Sequence, residues 1–437
     1  MDSARRLVVR TLTKVDDNNS YSNIVLSDAL EKSGLSEQDR KFASALFYGV
    51  IERKLTLDEI IAHYSVNRNK LGSEIRNILR CGIYQLLYMD SVPDNAAVDE
   101  SVKLAKANKN PACAGFVNAL LREFIRRQKA LPERKNRVDK LSLEYSCPVW
   151  LVSKWMSEYG DKVCLSMLKT SFGQPPTTVR VNTFSAPLDD TLKMLSDEGV
   201  MFAKSDVLDD CLDLYFSGSV EQTKAFRLGR LHVQDMSSQF CAAALEAKPG
   251  DTVLDLCSAP GGKTFTIAEI MGDKGSVLAF DLHPNRVKLI MSGAKRLGLN
   301  CVSARVNDAK KFSSDMPTAE RVLCDVPCSG LGVIRRKPEI KYKSPEDFER
   351  LPQIQYEILD TSSRYVKNGG VLVYSTCTLS RAENDEVADK FLKEHTEFTS
   401  CELGEAFGAD RHKSRITFTP DKYGSDGFFV AKFRRIR

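Results

Sequence analysis

Two cysteines close two apolar runs of this chain. Cys328 ends Arg321-Val-Leu-Cys-Asp-Val-Pro-Cys328, and Cys377 ends Gly370-Val-Leu-Val-Tyr-Ser-Thr-Cys377. Both runs are apolar and β-branched, the pattern of buried parallel strands. Ligands of open α/β sheets lie beyond the carboxyl ends of the strands, so both thiols are expected in one crevice despite their distance in sequence. Asp325 stands beside the first thiol. That set suits covalent chemistry on a pyrimidine ring. One cysteine at a strand end is more often a small buried residue. Two of them, with Asp325 at a neighbouring tip, weigh against that plain reading.

A glycine turn lies upstream. Asp255-Leu-Cys-Ser-Ala-Pro-Gly-Gly-Lys-Thr264 follows a strand and opens a helix, and its glycines let backbone approach a ligand closely. The segment imitates a phosphate loop, and Val322-Leu-Cys-Asp325 imitates a Walker B strand. Cys257 occupies the position of the first required glycine, the one that starts the phosphate cradle, which weighs against nucleotide hydrolysis. A methyl-donor site fits better. The next strand ends in Asp281, where a ribose hydroxyl pair is held in dinucleotide folds, and Val306-Asn-Asp308 offers an acceptor for an adenine amine. Each aspartate could instead be a strand-end or helix-cap carboxylate. The candidate cofactor contacts are Cys257, Ser258, Ala259, Pro260, Gly261, Gly262, Lys263, Asp281, Asp308 and Asp325.

The elements that must position these groups are legible in outline. The chain has 437 residues, 42% hydrophobic and 28% charged, room for roughly two to four domains. Residues 1–130 read as all-helical, with apolar spacings of three and four at Leu7-Val8-Thr11-Leu12-Val15, Ala43-Leu46-Phe47-Val50 and Ile78-Leu79-Ile83-Leu86. Asp94-Asn95 is expected to cap a helix through Val98 and Val102. Residues 131–170 read as a charged linker around Pro132 and a helical connector. Residues 171–235 read as a small α+β module, with strands at Thr178–Asn182 and near Phe202 and Leu214, and a helix over Leu188–Leu195. From 236 to 437 the alternation of strand and helix predicts an α/β, Rossmann-like doubly wound domain. Its strands are expected at 252–257, 276–281, 301–306, 321–326 and 370–376, and its helices at 263–271, 285–297, 346–366 and 382–394. A closing antiparallel hairpin joins Ile416-Thr-Phe-Thr to Gly427–Phe433.

Charge and cysteine usage bound the rest. The formal charge is only +5, but eleven Lys/Arg face three Asp/Glu between Lys103 and Lys140, and Arg335-Arg336-Lys337 and the tail add clusters. Such clusters can follow a phosphate backbone, or be solvated helix faces. The start Met1-Asp-Ser-Ala-Arg-Arg lacks the apolar stretch of a signal peptide, and no run is long enough to span a bilayer. The twelve cysteines, mostly in apolar or helical segments, are therefore read as reduced and the protein as cytoplasmic and monomeric. No histidine has zinc-ligand spacing with a cysteine pair, so no metal is expected.

Asp255–Thr264, Asp325-Val-Pro-Cys-Ser-Gly330 and Tyr374-Ser-Thr-Cys-Thr378, in this order, resemble the RNA cytosine-5 methyltransferases of the Nol/Nop/Sun group. The likeness extends over roughly 140–437 and takes in Arg180-Val-Asn182, Gln234-Asp-Met-Ser-Ser-Gln239 and Asp426-Gly-Phe-Phe429. The helical front, with Asn95-Ala-Ala-Val-Asp-Glu100 and Phe116-Val-Asn118, is similar to the NusB RNA-binding domain. The fusion resembles the Sun/Fmu branch of the group, which implies one cytosine of small-subunit (16S) ribosomal RNA as target and S-adenosylmethionine as methyl donor. The resemblance implies Cys377 as nucleophile, Asp325 at the ring nitrogen, Cys328 in breakdown of the adduct and Lys263 as support for Asp325. DNA cytosine-5 enzymes attack with the Pro-Cys thiol, so Cys328 stays open as the attacker. Transfer RNA as substrate and a non-catalytic RNA-binding scaffold are the competing readings. The intact thiols and glycine turn disfavour the scaffold. RNA specificity is assigned to residues 103–140, the 175–232 module and Arg335-Arg336-Lys337.

Overall fold

The computed structural model describes residues 3–18, 22–65, 71–108, 111–216 and 218–437; Met1, Asp2, Lys109 and Ser217 of the segments read above lie outside them. The chain divides into two compact units, Met1–Gly173 with Lys337–Lys343, and Gln174–Arg336 with Ser344–Arg437. Among the described residues no helix is long and apolar enough to cross a membrane.

The first unit is built of helices whose apolar spacings converge on one core. Leu7, Val8, Leu12, Leu46, Phe47, Val50, Ile78, Leu79, Ile83 and Phe124 are all buried in it. Removing each such side chain from water contributes about 1.5–3 kcal/mol. Arg80 is buried there as well, with Nη1 2.6 Å from Asp16 and a two-pronged pair to Asp58 at 2.7 Å. Asp94 does not cap its helix. The helix Asp94–Lys106 starts at Asp94 with Pro93 in the cap position, and the carboxylate serves in the first turn, paired to Lys129 at 2.8 Å. The basic run is laced with carboxylates: Lys103 pairs with Glu100, Arg127 with Glu123 and Arg137 with Asp161. The segment Pro338–Tyr342, although it follows the Cys328 loop in the chain, packs in this unit. There Lys341 is 1% exposed, donates from Nζ to Glu52 O at 2.8 Å and lies 5.0 Å from the Phe172 ring.

The second unit opens with the small module, β1 (Thr177–Val181), β2 (Met201–Lys204), β3 (Cys211–Tyr215) and β4 (Leu231–Val233), in the order β2-β3-β1-β4. Then follow β5 (Thr252–Asp255), β6 (Ser276–Asp281), β7 (Val302–Val306), β8 (Ala319–Asp325), β9 (Val366–Thr376), β10 (Phe398–Ser400), β11 (Arg415–Phe418) and β12 (Phe428–Arg435). They form one sheet in the order β10-β12-β9-β8-β5-β6-β7, with β11 on β12. β9, β8, β5, β6 and β7 are successive parallel neighbours, while β12 runs antiparallel to β9. The alternation of the central strands sorts residues to both faces. Leu323, Val371 and Val373 pack on one side; Val322, Cys324, Leu372 and Tyr374 pack on the other. The chain leaves β5 outward to β6 and β7, then returns to β8 on the other flank. The β5/β8 boundary is thus the switch point where such folds bind ligands.

Several element limits differ from expectation. β5 stops at Asp255 because the chain turns at once into the glycine loop. The helix expected over 346–366 is confined to Leu351–Ser363: 3-10 turns precede it, Pro352 sits in its first turn, and Val366 already belongs to β9. The helix expected from 382 begins at Asp385, because Glu383 and Asn384 are engaged elsewhere. β4 and the helix Met236–Ala244 were not anticipated.

Candidate active site

The glycine loop leaves β5 at the switch point and enters the helix Gly262–Ile270. Gly261 has φ +112°, and a Cβ there would lie 2.4 Å from the Phe265 ring, so the turn requires glycine. Asp255, fully buried, accepts from Thr264 Oγ1 at 2.6 Å, and Ser258 Oγ lies 2.5 Å from Thr264 Oγ1. Burial pushes the Asp255 pKa up to about 6. These bonds brace the loop from inside.

The acidic strand tips follow. Asp281 ends β6, where Oδ1 accepts from His283 N at 3.0 Å and Arg286 Nη1 lies 3.3 Å from Oδ2. Arg286 also donates to Ala259 O at 2.8 Å, which ties this tip to the glycine loop. Asp308 lies just beyond β7 and accepts from Lys310 N at 3.2 Å. Each carboxylate thus accepts the backbone amide two residues on, and neither occupies a helix-cap position: His283 stands in the cap position of Pro284–Leu297, and no helix follows Asp308 directly. Between them stand two half-exposed apolar side chains, Leu282 at 55% and Val306 at 52%, and the Asn307 Nδ2 is buried without a partner among the described residues. Acceptors for hydroxyls and an amine, apolar walls for a flat ring and an unspent donor fit an adenosine group. Among the described residues no His, Cys, Asp and Glu cluster could hold a metal ion.

β8 and β9 deliver the reacting groups. Their register pairs Asp325 with Ser375, two residues before Cys377. Asp325 Oδ1 accepts from Ser375 Oγ at 2.7 Å, and Oδ2 accepts from Lys263 Nζ at 2.7 Å. Lys263 stands one residue inside its helix and reaches across the switch point, so it is an ion-pair partner and not a phosphate-loop lysine. Cys328 and Cys377 meet with their sulfurs 3.3 Å apart. The hydrogen bond to Cys377, then burial, and also the nearby Glu383 carboxylate keep the Cys328 pKa well above the ordinary thiol value. Either sulfur can donate to the other across this contact. Cys324, fully buried inside β8, is pushed by burial up to about 12 and is inert.

The remaining motif residues hold the frame. Gly332 N donates to Cys377 O at 3.1 Å, and Gly427 N donates to Gly332 O at 2.9 Å; a Cβ on Gly332 would strike that Gly427 carbonyl. Arg180 pairs with Glu269 at 2.8 Å and Asp210 at 3.1 Å, and Asn182 Nδ2 donates to Gly229 O and Leu297 O, which fastens the small module to the sheet domain. Arg336, read from sequence as a phosphate contact, is turned inward: Nε donates to Asp426 Oδ2 at 2.6 Å and Nη2 to Asp235 Oδ2 at 3.2 Å. Sequence reasoning missed Ser375, Ser329, Gln355, Thr378, Glu383 and Asn384. Small hydroxyl residues beside the two cysteines were the one available signal.

Comparison with known proteins agrees with this architecture. A family model described as 16S rRNA methyltransferase RsmB/F matches residues 242–434, the NusB family matches 2–126, and an RsmF/B-like ferredoxin-like domain matches 147–221. A probable ribosomal RNA small subunit methyltransferase B of Bacillus subtilis is 38% identical, covering 99% of each chain, and one of Synechocystis is 34% identical, covering 100% of each. The crystal structure of PH0851 superposes with a TM-score of 0.84 at 25% identity, covering 100% of this chain and 99% of that one. A methyltransferase homologue from Pyrococcus horikoshii gives 0.59 at 26% identity, covering 69% of this chain and 100% of that one. The helical front, the ferredoxin-like module and the doubly wound catalytic domain with its paired thiols together mean that this chain belongs to the family of ribosomal RNA small subunit methyltransferase B.

Proposed function

We propose that this enzyme methylates carbon 5 of one cytosine in small-subunit (16S) ribosomal RNA, through a covalent Cys377 adduct at ring carbon 6. The observation that carries the reading is the thiol pair, 3.3 Å apart beside Asp325, at the carboxyl ends of adjacent strands. The names of the relatives support the RNA. The glycine loop, Asp281 and Asp308 would hold S-adenosylmethionine, which supplies an electrophilic methyl group when bound.

Cys377 adds to carbon 6, and the ring becomes an enamine whose carbon 5 is nucleophilic. Asp325, oriented by Ser375 and Lys263, contacts ring nitrogen 3; a proton passed from Lys263 Nζ through Asp325 reaches this nitrogen as the adduct forms and returns by the same path as the ring double bond re-forms. After methylation carbon 5 loses its proton to solvent, the ring double bond re-forms and the carbon–sulfur bond breaks. Cys328, 3.3 Å from Cys377, stabilises the departing thiolate by hydrogen bonding. The Thr376-Cys377 pair matches the RNA arrangement of the family, which favours Cys377 over Cys328 as the attacker. The target base leaves its stack to reach the crevice. Exposed pairs such as Lys103–Glu100 are weak, so these cations can turn to phosphates; Arg336 is excluded from that role by its internal pairs.

The test is labelled S-adenosylmethionine with unmodified small-subunit ribosomal RNA, for wild type, Cys377→Ala and Cys328→Ala. Label in 5-methylcytosine, lost in Cys377→Ala, with a protein–RNA adduct in Cys328→Ala, is expected. An adduct in Cys377→Ala reverses the thiol roles, and label at any other base or atom overturns the reading.

A further inference from the structure

Cys328 and Cys377 both lie past the ends of their strands, so strand pairing does not by itself fix the 3.3 Å between them. Beside the Gly332 N to Cys377 O bond, two consecutive buried residues hold the loops. Glu383 is 2% exposed; its Oε1 accepts from Ser329 Oγ at 2.6 Å, and its Oε2 accepts from Ser329 N at 2.9 Å and from Gln355 Nε2 at 2.9 Å. Gln355 Nε2 donates also to Pro327 O at 3.1 Å. The neighbours of Cys328 on both sides are thereby pinned to one carboxylate. Asn384, fully buried, does the same for the other thiol: Oδ1 accepts from Thr376 Oγ1 at 2.5 Å, and Nδ2 donates to Thr378 O at 3.0 Å. A 2.6 Å bond between Ser329 Oγ and Thr378 Oγ1 joins the two clamps, and Tyr374 OH donates to Glu383 O at 2.5 Å, anchoring the pair to β9.

Capping of the next helix does not explain these residues. Asn384 occupies the cap position of Asp385–Glu394, yet its side chain makes no cap hydrogen bond. A buried carboxylate is tolerated when its oxygens are hydrogen-bonded, and the Glu383 carboxylate accepts from Ser329 and from the glutamine that holds Pro327.

We propose that Glu383 and Asn384 are positioning residues that divide the two halves of the covalent cycle. Asn384 holds Cys377 for adduct formation, and Glu383 holds Cys328 for adduct breakdown. This rests on the covalent reading above.

The test compares Glu383→Ala, Glu383→Gln, Asn384→Ala and Cys328→Ala in single turnover with labelled donor and unmodified small-subunit RNA, scoring adduct formed and adduct released. Glu383→Ala is expected to form adduct at the wild-type rate and release it about 10- to 100-fold more slowly, the effect of a small misplacement. Asn384→Ala slows formation to a similar extent and accumulates no adduct. Glu383→Gln restores release, because its carbonyl can take the two N–H donors while its amide donates to Ser329 Oγ. Equal losses in both steps, or release at the wild-type rate in Glu383→Ala, overturn the proposal. If Glu383→Ala does not fold, Gln355→Ala, which frees Pro327 alone, carries the test: slowed release supports the clamp and normal release overturns it. Cys328→Ala separates the two levels. Adduct there with normal release in Glu383→Ala removes the positioning role alone; no adduct there, while wild type methylates, removes the covalent assignment and the positioning role with it.

Discussion

Lys263 Nζ lies 2.7 Å from Asp325 Oδ2, joining the turn after β5 to the tip of β8. Burial opposes the charge on Lys263, but Asp325 outweighs it and raises the ammonium pKa above the ordinary lysine value. Lys263→Met leaves Asp325 with Ser375 alone. A fall in kcat of about 10²–10⁴ is expected, with donor binding much less affected. Single-turnover methylation and calorimetric titration of the donor check this. A raised KM with unchanged kcat would make Lys263 a donor contact only.

The two reactive sulfurs are already in contact at 3.3 Å, against about 2.05 Å in a disulfide. Diamide is expected to oxidise the pair, abolish methyl transfer and lower the mass by two hydrogens, and a thiol reductant should reverse all three. Peptide mapping should find Cys328 linked to Cys377. Full activity after complete diamide treatment would show that the loops cannot close.

Burial lowers the Lys341 pKa to about 8 from an ordinary 10.5. Between those values the unfolded chain binds more protons than the native one, so stability rises with pH and falls as pH drops toward 8. The span is worth about 3 kcal/mol. Lys341→Met should flatten this slope and be more stable than wild type at pH 7, as measured by denaturant midpoints from pH 7 to 10.5. Parallel curves for the two proteins would contradict it.

Gly261→Ala forces a side chain into a left-handed conformation and against Phe265. A loss of about 1–3 kcal/mol and weaker donor binding are expected. Gly115→Ala is the control, since that glycine lies in a helix of the other unit and its Cβ would meet nothing within 4 Å. Equal effects of the two substitutions on donor affinity would mean that the turn is not what shapes the site.

Sequence carried the strand tips well, because β8 and β9 finish on apolar runs, Val322-Leu-Cys324 and Val371-Leu-Val-Tyr374, whose ends place Asp325, Cys328 and Cys377 without knowledge of register. It did not carry what surrounds them. Glu383 reads as an acid in a helix start, and only the folded chain brings it to Ser329, far upstream. Arg336 reads as part of a basic surface because Asp235 and Asp426 are remote in sequence. The helix start at 385 was misjudged for a related reason: Glu383 and Asn384 are committed to partners that local periodicity cannot report, whereas the start at 351 is set by the 3-10 turns and Pro352.

The segment Lys337–Lys343 belongs by packing to the helical unit that otherwise ends at Gly173. During synthesis a leading domain ordinarily folds as soon as it clears the ribosome. Here the last piece of the leading unit emerges roughly 170 residues late. At about 5–20 residues per second that is a delay of roughly ten to thirty seconds. Gene order and folding order therefore part company, and a fragment cut at Gly173 would carry an unfilled seat where Lys341 and Tyr342 belong.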